Sequence, residues 1–429
     1  MDEGRCRRIA IRARGQLHSG QESDRDADTS EGGMMTDLYW DPLTPELRDD
    51  PYPLWRRLRD EAPVYYNDRY DFWALSRFAD IEAAHKDYAV FSSNHGTTLE
   101  TMTAEPVDTG MIIYLDPPKH TILRKLVSRA FTTRRVSMLE DRIREVCARL
   151  LDAQSGAGRF DYVQDFSAVL PPTVISSLLG VPEQDEERLR HLVDDVFHIE
   201  EGVGMANPVS TNALVSLGAY LVEQFAERRQ HPRDDVFTDL VQAEITDEQG
   251  HQRRLTDEEL AGFGVLLFSA GTETVARHLG WVASVLDEHP DQRAELAGDL
   301  SLVPNAVEEI LRFEPPSPVN ARWTNSVVSF HGVTIPANSR VILITGSAGR
   351  DERRYANPDS LDIRRRVDLH LTFGYGIHFC LGAALARMEG RIGLEETLKR
   401  WPKWVVDRDN TVPLYTSTVR GPLNLPIFV

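Results

Sequence analysis

Apolar residues recur at three- and four-residue intervals along much of the chain, and this spacing is typical of amphipathic helices. Five segments show it clearly: 136–153, 210–229, 257–288, 305–313 and 381–398. Short runs with the character of strands lie mainly towards the two ends: 70–75, 327–333, 340–344 and 423–429. The pattern predicts a mainly α protein with a small β portion, an α+β fold.

The longest predicted helix has recognisable ends. Thr256 and Glu259 form a capping box at its start, and Pro290 lies just beyond its last residue. At 1.5 Å per residue, the helix over 257–288 is about 48 Å long and crosses the whole molecule. Its centre, 262–270, is apolar nearly all round, which predicts that it runs through the core.

Polar residues interrupt this buried helix, because Thr272, Glu273 and Thr274 follow directly after Ala270 and Gly271. A glycine there lets a ligand approach the backbone or lets the helix open locally, and threonine hydroxyls bond back to carbonyls and bend a helix. A buried carboxylate beside a hydroxyl forms a plausible proton relay. The alternative is that the threonines only bond their own helix and that Glu273 reaches the surface.

A glutamate and an arginine lie one helical turn apart at Glu309 and Arg312. The same spacing occurs at Glu187 and Arg190, so spacing alone does not select either pair. A solvated ion pair is the ordinary interpretation of both. Glu309 and Arg312 differ in that their helix is apolar and runs into a proline-rich turn.

The 429 residues carry a formal net charge of −19, with 41% hydrophobic and 27% charged residues. This composition is that of an ordinary globular protein, and the negative charge disfavours nucleic acid and anionic membranes as partners. The longest charge-free apolar stretch near the middle, 260–272, is shorter than the roughly 18–20 residues of a membrane span, so we expect no membrane anchor. Cys6, Cys147 and Cys380 are too few and too scattered for a disulfide framework, which indicates a reducing, cytoplasmic location.

The first 35 residues differ from the rest of the chain. They carry five arginines by Arg14 and then a polar run with little to bury, which predicts a disordered N-terminal extension over 1–35. Neither a transit peptide nor a secretory signal fits this segment well. No linker, repeat or low-complexity tract divides the remainder, so we expect residues 36–429 to form a single domain.

The most informative stretch is 373–382, Phe-Gly-Tyr-Gly-Ile-His-Phe-Cys-Leu-Gly. Cys380 precedes a predicted helix, where backbone N–H groups and the helix dipole lower the pKa of a thiol and favour the thiolate. Gly374 and Gly376 allow tight bends or close approach to a flat ligand, and Gly382 keeps the first helical turn thin. The arrangement suits a thiolate held for a metal, although a lone cysteine is more often a buried structural residue.

The chain resembles the cytochrome P450 superfamily in three motifs and in their order. These are the run at 270–274, the pair at Glu309 and Arg312, and the motif at 373–382. The resemblance is to its soluble bacterial class of ferredoxin-dependent haem-thiolate monooxygenases. It spans 50–429 and includes the matching stretches 50–54, 116–120 and 350–352. It implies the cytochrome P450 fold, a triangular helical prism with a long central helix over the haem.

By resemblance, Cys380 is the axial ligand of the iron of haem b, iron protoporphyrin IX, and Phe373 packs beside the thiolate. The further cofactor-binding positions that the resemblance implies are His120, Arg124, Ala270, Gly271, Arg322, Gly374, His378 and Gly382. Of these, the histidines and arginines match the family's partners of the haem propionates. Glu309 and Arg312 become a buried structural pair, joined by a later arginine such as Arg364.

Thr274 and Glu273 match the alcohol and the acid that deliver protons to dioxygen in this family. The resemblance therefore implies an oxidoreductase of secondary metabolism that inserts one oxygen atom from O2 into a lipophilic small molecule, by hydroxylation or epoxidation. It also implies a substrate cavity lined by 92–114, 196–212, 265–270, Val319, Asn320 and 415–419. Oxidative coupling, rearrangement and a haem-thiolate sensor or carrier without turnover remain alternatives.

Only 49 residues follow Cys380, so we expect no fused electron-transfer module. We predict instead an external iron–sulfur ferredoxin with an NAD(P)H-dependent reductase. Arg124, Lys125, Arg387 and Arg391 flank the thiolate region and predict a basic docking patch, unless they are only solvated surface charges. We expect the protein to be a monomer.

Overall fold

The computed structural model describes residues 38–44, 50–107, 109–129, 131–200 and 207–429. The predicted N-terminal extension, 1–35, lies outside the described residues, as does part of the predicted cavity segment 196–212.

Helices dominate the described residues. Their bounds are α1 Tyr52–Glu61, α2 Phe78–Lys86, α3 Lys119–Val127, α4 Thr133–Ser137, α5 Glu140–Asp152, α6 Leu170–Leu179, α7 Glu183–Val196, α8 Pro208–Gln230, α9 Val236–Gln242, α10 Asp257–Glu288, α11 Pro290–Gly298, α12 Val303–Phe313, α13 Thr345–Gly349 and α14 Ala383–Arg400. The five predicted helices correspond to α5, α8, α10, α12 and α14, and all five are confirmed.

The central helix α10 begins and ends where its local signals predict. The Thr256 hydroxyl accepts a hydrogen bond from the Glu259 N–H at 3.2 Å, and the Thr256 N–H donates to the Glu259 carboxylate at 3.0 Å. The helix ends at Glu288, and Pro290 opens the following helix α11. The capping box and the proline therefore set both ends of the longest element.

Two hydrophobic cores meet along α10. Its first half, through Phe268, packs mainly with α3, α7, α8 and α9, and its second half, from Val275, packs mainly with α5, α6, α12 and α14. No residue from 269 to 274 belongs to either core. Ala270 is exposed, so the middle of this otherwise buried helix opens onto a cavity.

The strands form small sheets. Their bounds are β1 Val64–Asn67, β2 Phe72–Leu75, β3 Phe91–Ser92, β4 Arg159–Asp161, β5 Glu244–Thr246, β6 Gln252–Arg254, β7 Asn320–Thr324, β8 Val328–Phe330, β9 Val333–Ile335, β10 Arg340–Leu343, β11 Val405–Val406, β12 Val412–Tyr415, β13 Arg420–Asn424 and β14 Pro426–Phe428. The largest sheet has the order β1-β2-β10-β7-β3, in which only β2 and β10 run parallel. Its strand β7 carries Arg322, directly opposite Val341 of β10.

Two of the predicted strands are wrong in extent. The run 327–333 is a hairpin of β8 and β9, because His331 and Gly332 adopt positive φ angles of 52° and 79° and reverse the chain. The run 423–429 is divided between β13 and β14 at Leu425. Among the described helices, none is long and apolar enough to cross a membrane.

Candidate active site

A tight loop presents Cys380 just before α14. Gly374 and Gly376 adopt positive φ angles of 67° and 69°, which favour glycine, and the Cys380 N–H donates to the Phe373 carbonyl at 2.8 Å. A Cβ added to Gly382 would meet no atom within 4 Å, so the first turn of α14 borders open space. The loop therefore leaves room for a flat group beside the cysteine.

The Cys380 thiol is half-buried. Burial raises its pKa, whereas the Gly382 N–H and the guanidinium groups of Arg124 and Arg387 oppose this rise by favouring the thiolate. Cys147, in contrast, is fully buried in a hydrophobic core, and burial raises its pKa without such a counterbalance from the backbone. Of the two cysteines in the described residues, only Cys380 has the surroundings of a metal ligand.

Phe373 begins this loop, and its ring packs against two side chains. Its ring lies 4.5 Å from the Arg387 guanidinium and 5.6 Å from the His370 ring. Arg387 in turn donates to the Glu308 carboxylate at 2.6 Å. The aromatic ring and this ion pair together fix one side of the cysteine loop.

The structure brings the four predicted propionate partners together. The rings of His120 and His378 lie 4.4 Å apart, and Arg124 donates to the Phe379 carbonyl at 2.5 Å. Burial and the neighbouring Arg124 lower the pKa of His120 to about 4, and burial, Arg322 and His120 lower the pKa of His378 to about 2. Each imidazole of the cluster thus lies beside a guanidinium group that disfavours its protonation.

Acidic partners do not balance this cluster. Asp116 faces Arg322 and His120, but it also accepts hydrogen bonds from the Ser92 hydroxyl and the Ser93 N–H. Burial lowers the pKa of Arg322 to about 10. Neither ring nitrogen of His120 has a hydrogen-bond partner among the described residues. The cluster therefore fits a ligand that brings carboxylates of its own.

Sequence reasoning missed one member of this cluster, His85. It is 5% exposed, and burial and Arg322 lower its pKa to about 3. It belongs to no motif and lies in the last turn of α2, so no local signal identifies it. Only the folded chain brings it against the cysteine loop.

The middle of α10 combines a glycine, Gly271, with two threonines whose hydroxyls bond the helix backbone. The helix stays continuous through Gly271, so the predicted possibility of a local opening is wrong. Instead the Thr272 and Thr274 hydroxyls donate to the carbonyls of Phe268 and Ala270, at 2.7 and 2.9 Å. These bonds satisfy the hydroxyl protons and leave the Thr274 oxygen able to accept a hydrogen bond from the cavity.

Glu273 does not reach the surface, since it is only 6% exposed. Its carboxylate lies 3.1 Å from the Arg277 Nε, yet that N–H is not aligned as a hydrogen bond. Burial raises the pKa of Glu273; Arg277 opposes the rise and the charge of Asp194 adds to it. A buried acid with a raised pKa next to a hydroxyl is a suitable proton carrier.

The pair at Glu309 and Arg312 is completely buried, with Arg312 donating to both carboxylate oxygens at 2.7 Å. The predicted third member is wrong: Arg365, and not Arg364, lies 3.0 Å from the Glu309 carboxylate. Arg364 forms an ion pair with Glu295 near the surface. The two arginines are consecutive in a loop, and the backbone directs only one of them inward.

In the described part of the chain, no group of three or more His, Cys, Asp or Glu side chains is arranged to hold a bare metal ion. The site instead has a single thiol beside open space, an uncompensated set of imidazole and guanidinium groups, and a helix with a buried acid and a hydroxyl. These features fit a flat, carboxylate-bearing metal cofactor held through one thiolate.

Residues 65–421 match the family profile described as cytochrome P450. The chain therefore belongs to the cytochrome P450 family, whose cofactor is a haem iron, and it is a cytochrome P450 monooxygenase. The resemblance inferred from the motifs is confirmed, and so is the fold class, mainly α with a small β portion.

Relatives of known activity cover almost the whole chain. It is 39% identical over 377 residues to erythromycin C-12 hydroxylase of Saccharopolyspora erythraea. This match covers 86% of this chain and 92% of that protein. It is 37% identical over 410 residues to vitamin D(3) 25-hydroxylase of Pseudonocardia autotrophica, covering 93% and 96%. The structure of cytochrome P450 CYP109Q5 from Chondromyces apiculatus matches with a TM-score of 0.82 at 33% identity, covering 91% and 97%.

Proposed function

We propose that the protein inserts one atom of O2 into a lipophilic small molecule, by hydroxylation or epoxidation, at a haem b whose iron is bound by Cys380. The observation that carries the proposal is the cluster of His120, His378, Arg124 and Arg322 beside the cysteine loop. Its hydrogen-bond donors outnumber the acids that face them, which suits the two propionates of this cofactor.

Haem bound at this site supplies the redox chemistry that activates O2. The chain's own contribution begins at Cys380, because a metal binds the thiolate and not the thiol. The Gly382 N–H, Arg124 and Arg387 favour that thiolate against the effect of burial. Ala270, Gly271, Gly374 and Gly382 keep side chains out of the space that a flat macrocycle needs.

On the other side of the site, Glu273 and Thr274 serve as the proton route. The carboxyl of Glu273 holds its proton to a higher pH than an ordinary glutamate because it is buried. Thr274 faces the cavity with an oxygen that accepts a hydrogen bond while its own proton is engaged by Ala270. The two residues are consecutive in α10.

The substrate class follows from the lining and from the relatives. In the middle of α10 the exposed residue is Ala270, and the run before it, 265–269, is apolar except for Ser269, whose hydroxyl donates to the Val265 carbonyl. Erythromycin and vitamin D(3), the compounds in the names of two relatives, are both large and lipophilic. We therefore infer a lipophilic substrate, to be identified by screening a compound library for spin-state shifts of the haem.

For electron supply we propose a ferredoxin and its NAD(P)H-dependent reductase. Two of the four residues of the predicted docking patch are neutralised by acids of this chain. Arg387 is paired with Glu308, and Arg391 is paired with Glu140 and Glu395. A better candidate is the stretch between Asp116 and Glu140, which has six lysines and arginines and no acid. Its residues Lys125, Arg129 and Arg134 are exposed.

Charge reversal tests this surface. The double variant Lys125→Glu and Arg129→Glu should raise the KM for ferredoxin and weaken the dependence of turnover on salt. Lys403→Glu reverses the charge of one exposed lysine elsewhere and is the control for a change in surface charge. An unchanged KM and salt dependence in the double variant would refute the docking surface.

The ligand assignment is tested by reduction under carbon monoxide. We expect the red-shifted Soret band of thiolate-bound haem, and freshly purified protein with a histidine-type band would contradict the role of Cys380. The single domain over 36–429, the monomeric state and the cytoplasmic location stay predictions.

The proton route is tested by comparing two threonines of one helix. Thr274→Ala should lower the product formed per NADPH consumed, whereas Thr272→Ala should leave this ratio unchanged, because Thr272 is buried away from the cavity. Equal coupling in the wild type and Thr274→Ala would rule out the role of Thr274.

A further inference from the structure

His85 is a buried imidazole without a partner. It lies in the last turn of α2 and is 5% exposed. Neither of its ring nitrogens forms a hydrogen bond within the described residues. Native proteins rarely leave such a group unsatisfied, because its desolvation is then uncompensated.

The loop that carries Cys380 passes directly against His85. A Cβ added to Gly376 would lie 2.4 Å from the His85 carbonyl oxygen, and one added to Gly374 would lie 3.9 Å from the ring carbon Cε1. The glycines of the motif therefore serve a second purpose, since they let α2 approach the loop closely. This contact fixes the imidazole next to the proposed haem site.

The side chains that interact electrostatically with His85 are basic. Arg322 and His378 both interact electrostatically with it, and His378 also faces His120 and Arg124. Burial and Arg322 lower the pKa of His85 to about 3, so the ring is neutral and has one N–H to donate. The described residues supply no acceptor for that N–H.

We propose that His85 is a further haem-binding residue, whose ring N–H donates a hydrogen bond to a haem carboxylate beside Arg322 and His378. The inference rests on the proposed haem site and extends it to a helix outside the recognised motifs. In this role α2 is connected to the cofactor, and the orphaned imidazole is satisfied when haem is bound.

A matched control exists in the same molecule. His278 of α10 is 2% exposed, and neither of its ring nitrogens has a partner in the described part of the chain. Its Nε2 would lie 3.0 Å from a Cβ on Gly390, and its charged neighbours are Glu308 and His370. The two histidines thus share burial and lack of partners but differ in their distance from the cluster.

The experiment measures the transfer of haem from the holoprotein to excess apomyoglobin. We expect His85→Leu to release haem about tenfold faster than the wild type, as for the loss of one hydrogen bond to a charged group. His85→Gln retains an N–H donor and should stay close to the wild type, and so should His278→Leu. The reduction potential of the iron should fall in His85→Leu only, because less of the carboxylate charge is then neutralised.

Four results decide the inference. Equal release from His85→Leu and the wild type overturns it, and so does a His85→Gln protein that loses haem as fast as His85→Leu, because the ring then acts by packing. Recovery of His85→Leu without haem, while His85→Gln and His278→Leu retain it, supports the inference. If the wild type shows a histidine-type Soret band but His85→Leu still releases haem faster, the Cys380 assignment fails and that of His85 stands.

Discussion

Two buried glutamate–arginine pairs lie on the neighbouring helices α10 and α12, and their surroundings differ sharply. On α12, Glu309 and Arg312 have no exposed side-chain surface, and Arg312 donates to both oxygens of the carboxylate at 2.7 Å. The same carboxylate also accepts from the Asp362 N–H at 3.1 Å and from Arg365 at 3.0 Å. The Glu309 carboxylate therefore accepts four hydrogen bonds.

Arg312 is equally well satisfied. Its remaining donors reach the carbonyls of Gly349 and Pro358, at 2.6 and 2.9 Å. Burying two charges is costly, and the cost is offset only when both carry this many hydrogen bonds. The pair therefore joins α12 to the loops around 349 and 358 as a fixed connection.

On α10 the corresponding pair is incomplete. Glu273 and Arg277 are 3.1 Å apart, but no described residue donates a well-aligned hydrogen bond to the Glu273 carboxylate. Arg277 directs another N–H to the Pro422 carbonyl, and Asp194 adds a second negative charge nearby. Burial consequently raises the pKa of Glu273.

The difference teaches how the same two residue types serve different purposes. A carboxylate with saturated acceptors keeps its charge and stabilises the fold. A carboxylate that is desolvated but poorly hydrogen-bonded is close to taking up a proton and is suited to transferring one. Each of the following predictions alters either the Glu309–Arg312 pair or the Glu273–Arg277 pair.

The largest effect is expected on α12. Arg312→Leu leaves the Glu309 charge buried without its main partner, which should lower the free energy of unfolding by about 3–5 kcal/mol. Urea unfolding of the haem-loaded protein measures the change. We expect a poor yield of holoprotein as well.

The second motif with the same spacing supplies the control. Arg190 on α7 is partly exposed and pairs with Asp194 at 3.1 Å, so Arg190→Leu should cost only about 0–1 kcal/mol. Similar losses in the two variants would show that the burial of Arg312 is not what makes its pair structural.

The next effect is on rate. Glu273→Gln removes the proton that the acid transfers and should reduce the kcat of product formation by about 100-fold, within the range of general acid–base catalysis. Haem content and substrate-induced spectral shifts should stay as in the wild type. Turnover with a surrogate ferredoxin and reductase is the measurement.

Glu389→Gln is the matched control for this prediction. Glu389 is another buried acid, 2% exposed, and burial raises its pKa well above the ordinary value, but it lies on α14 away from the middle of α10. It should retain wild-type turnover. A comparable decrease in both variants would mean that any buried acid affects turnover through stability.

Sequence alone predicted the elements whose ends carry local signals. The limits of α10 follow from Thr256, Glu259 and Pro290, and the cysteine loop follows from ten consecutive residues. The roles of Cys380, Glu273 and Thr274 came from a resemblance and stay predictions, although the structure gives these residues suitable surroundings.

The rest could not be predicted because it depends on contacts between distant segments. His85 meets the loop at 374–376 across almost 290 residues of chain, and no pattern in α2 indicates this. Arg364 and Arg365 are adjacent, and only the loop backbone determines which one reaches Glu309. The spacing shared by 187–190 and 309–312 likewise conceals that Glu309 and Arg312 form a buried pair, whereas the solvated pair expected at 187–190 is wrong, because Arg190 pairs with Asp194 instead of Glu187.

The smallest expected effect is a pH dependence of stability that belongs to Glu273. Because burial raises its pKa, the folded protein keeps this proton to a higher pH than the unfolded chain does. The contribution to stability is therefore fully present below the ordinary value of 4.5 and is lost as the pH rises through the raised folded-state pKa. Glutamine has no such proton, so the unfolding free energy of the wild type should fall relative to that of Glu273→Gln as the pH rises from 4.5.

Urea unfolding of both haem-loaded proteins at several pH values measures this difference, in which the titrations of all other groups cancel. Asp194→Asn sharpens the test, because removing its charge lowers the pKa of Glu273 and should confine the pH-dependent loss to a narrower range above 4.5. A difference that stays constant with pH would mean that folding does not change the pKa of Glu273. A difference that grows in favour of the wild type would mean that Arg277 outweighs burial, and the contrast between the two pairs would then be lost.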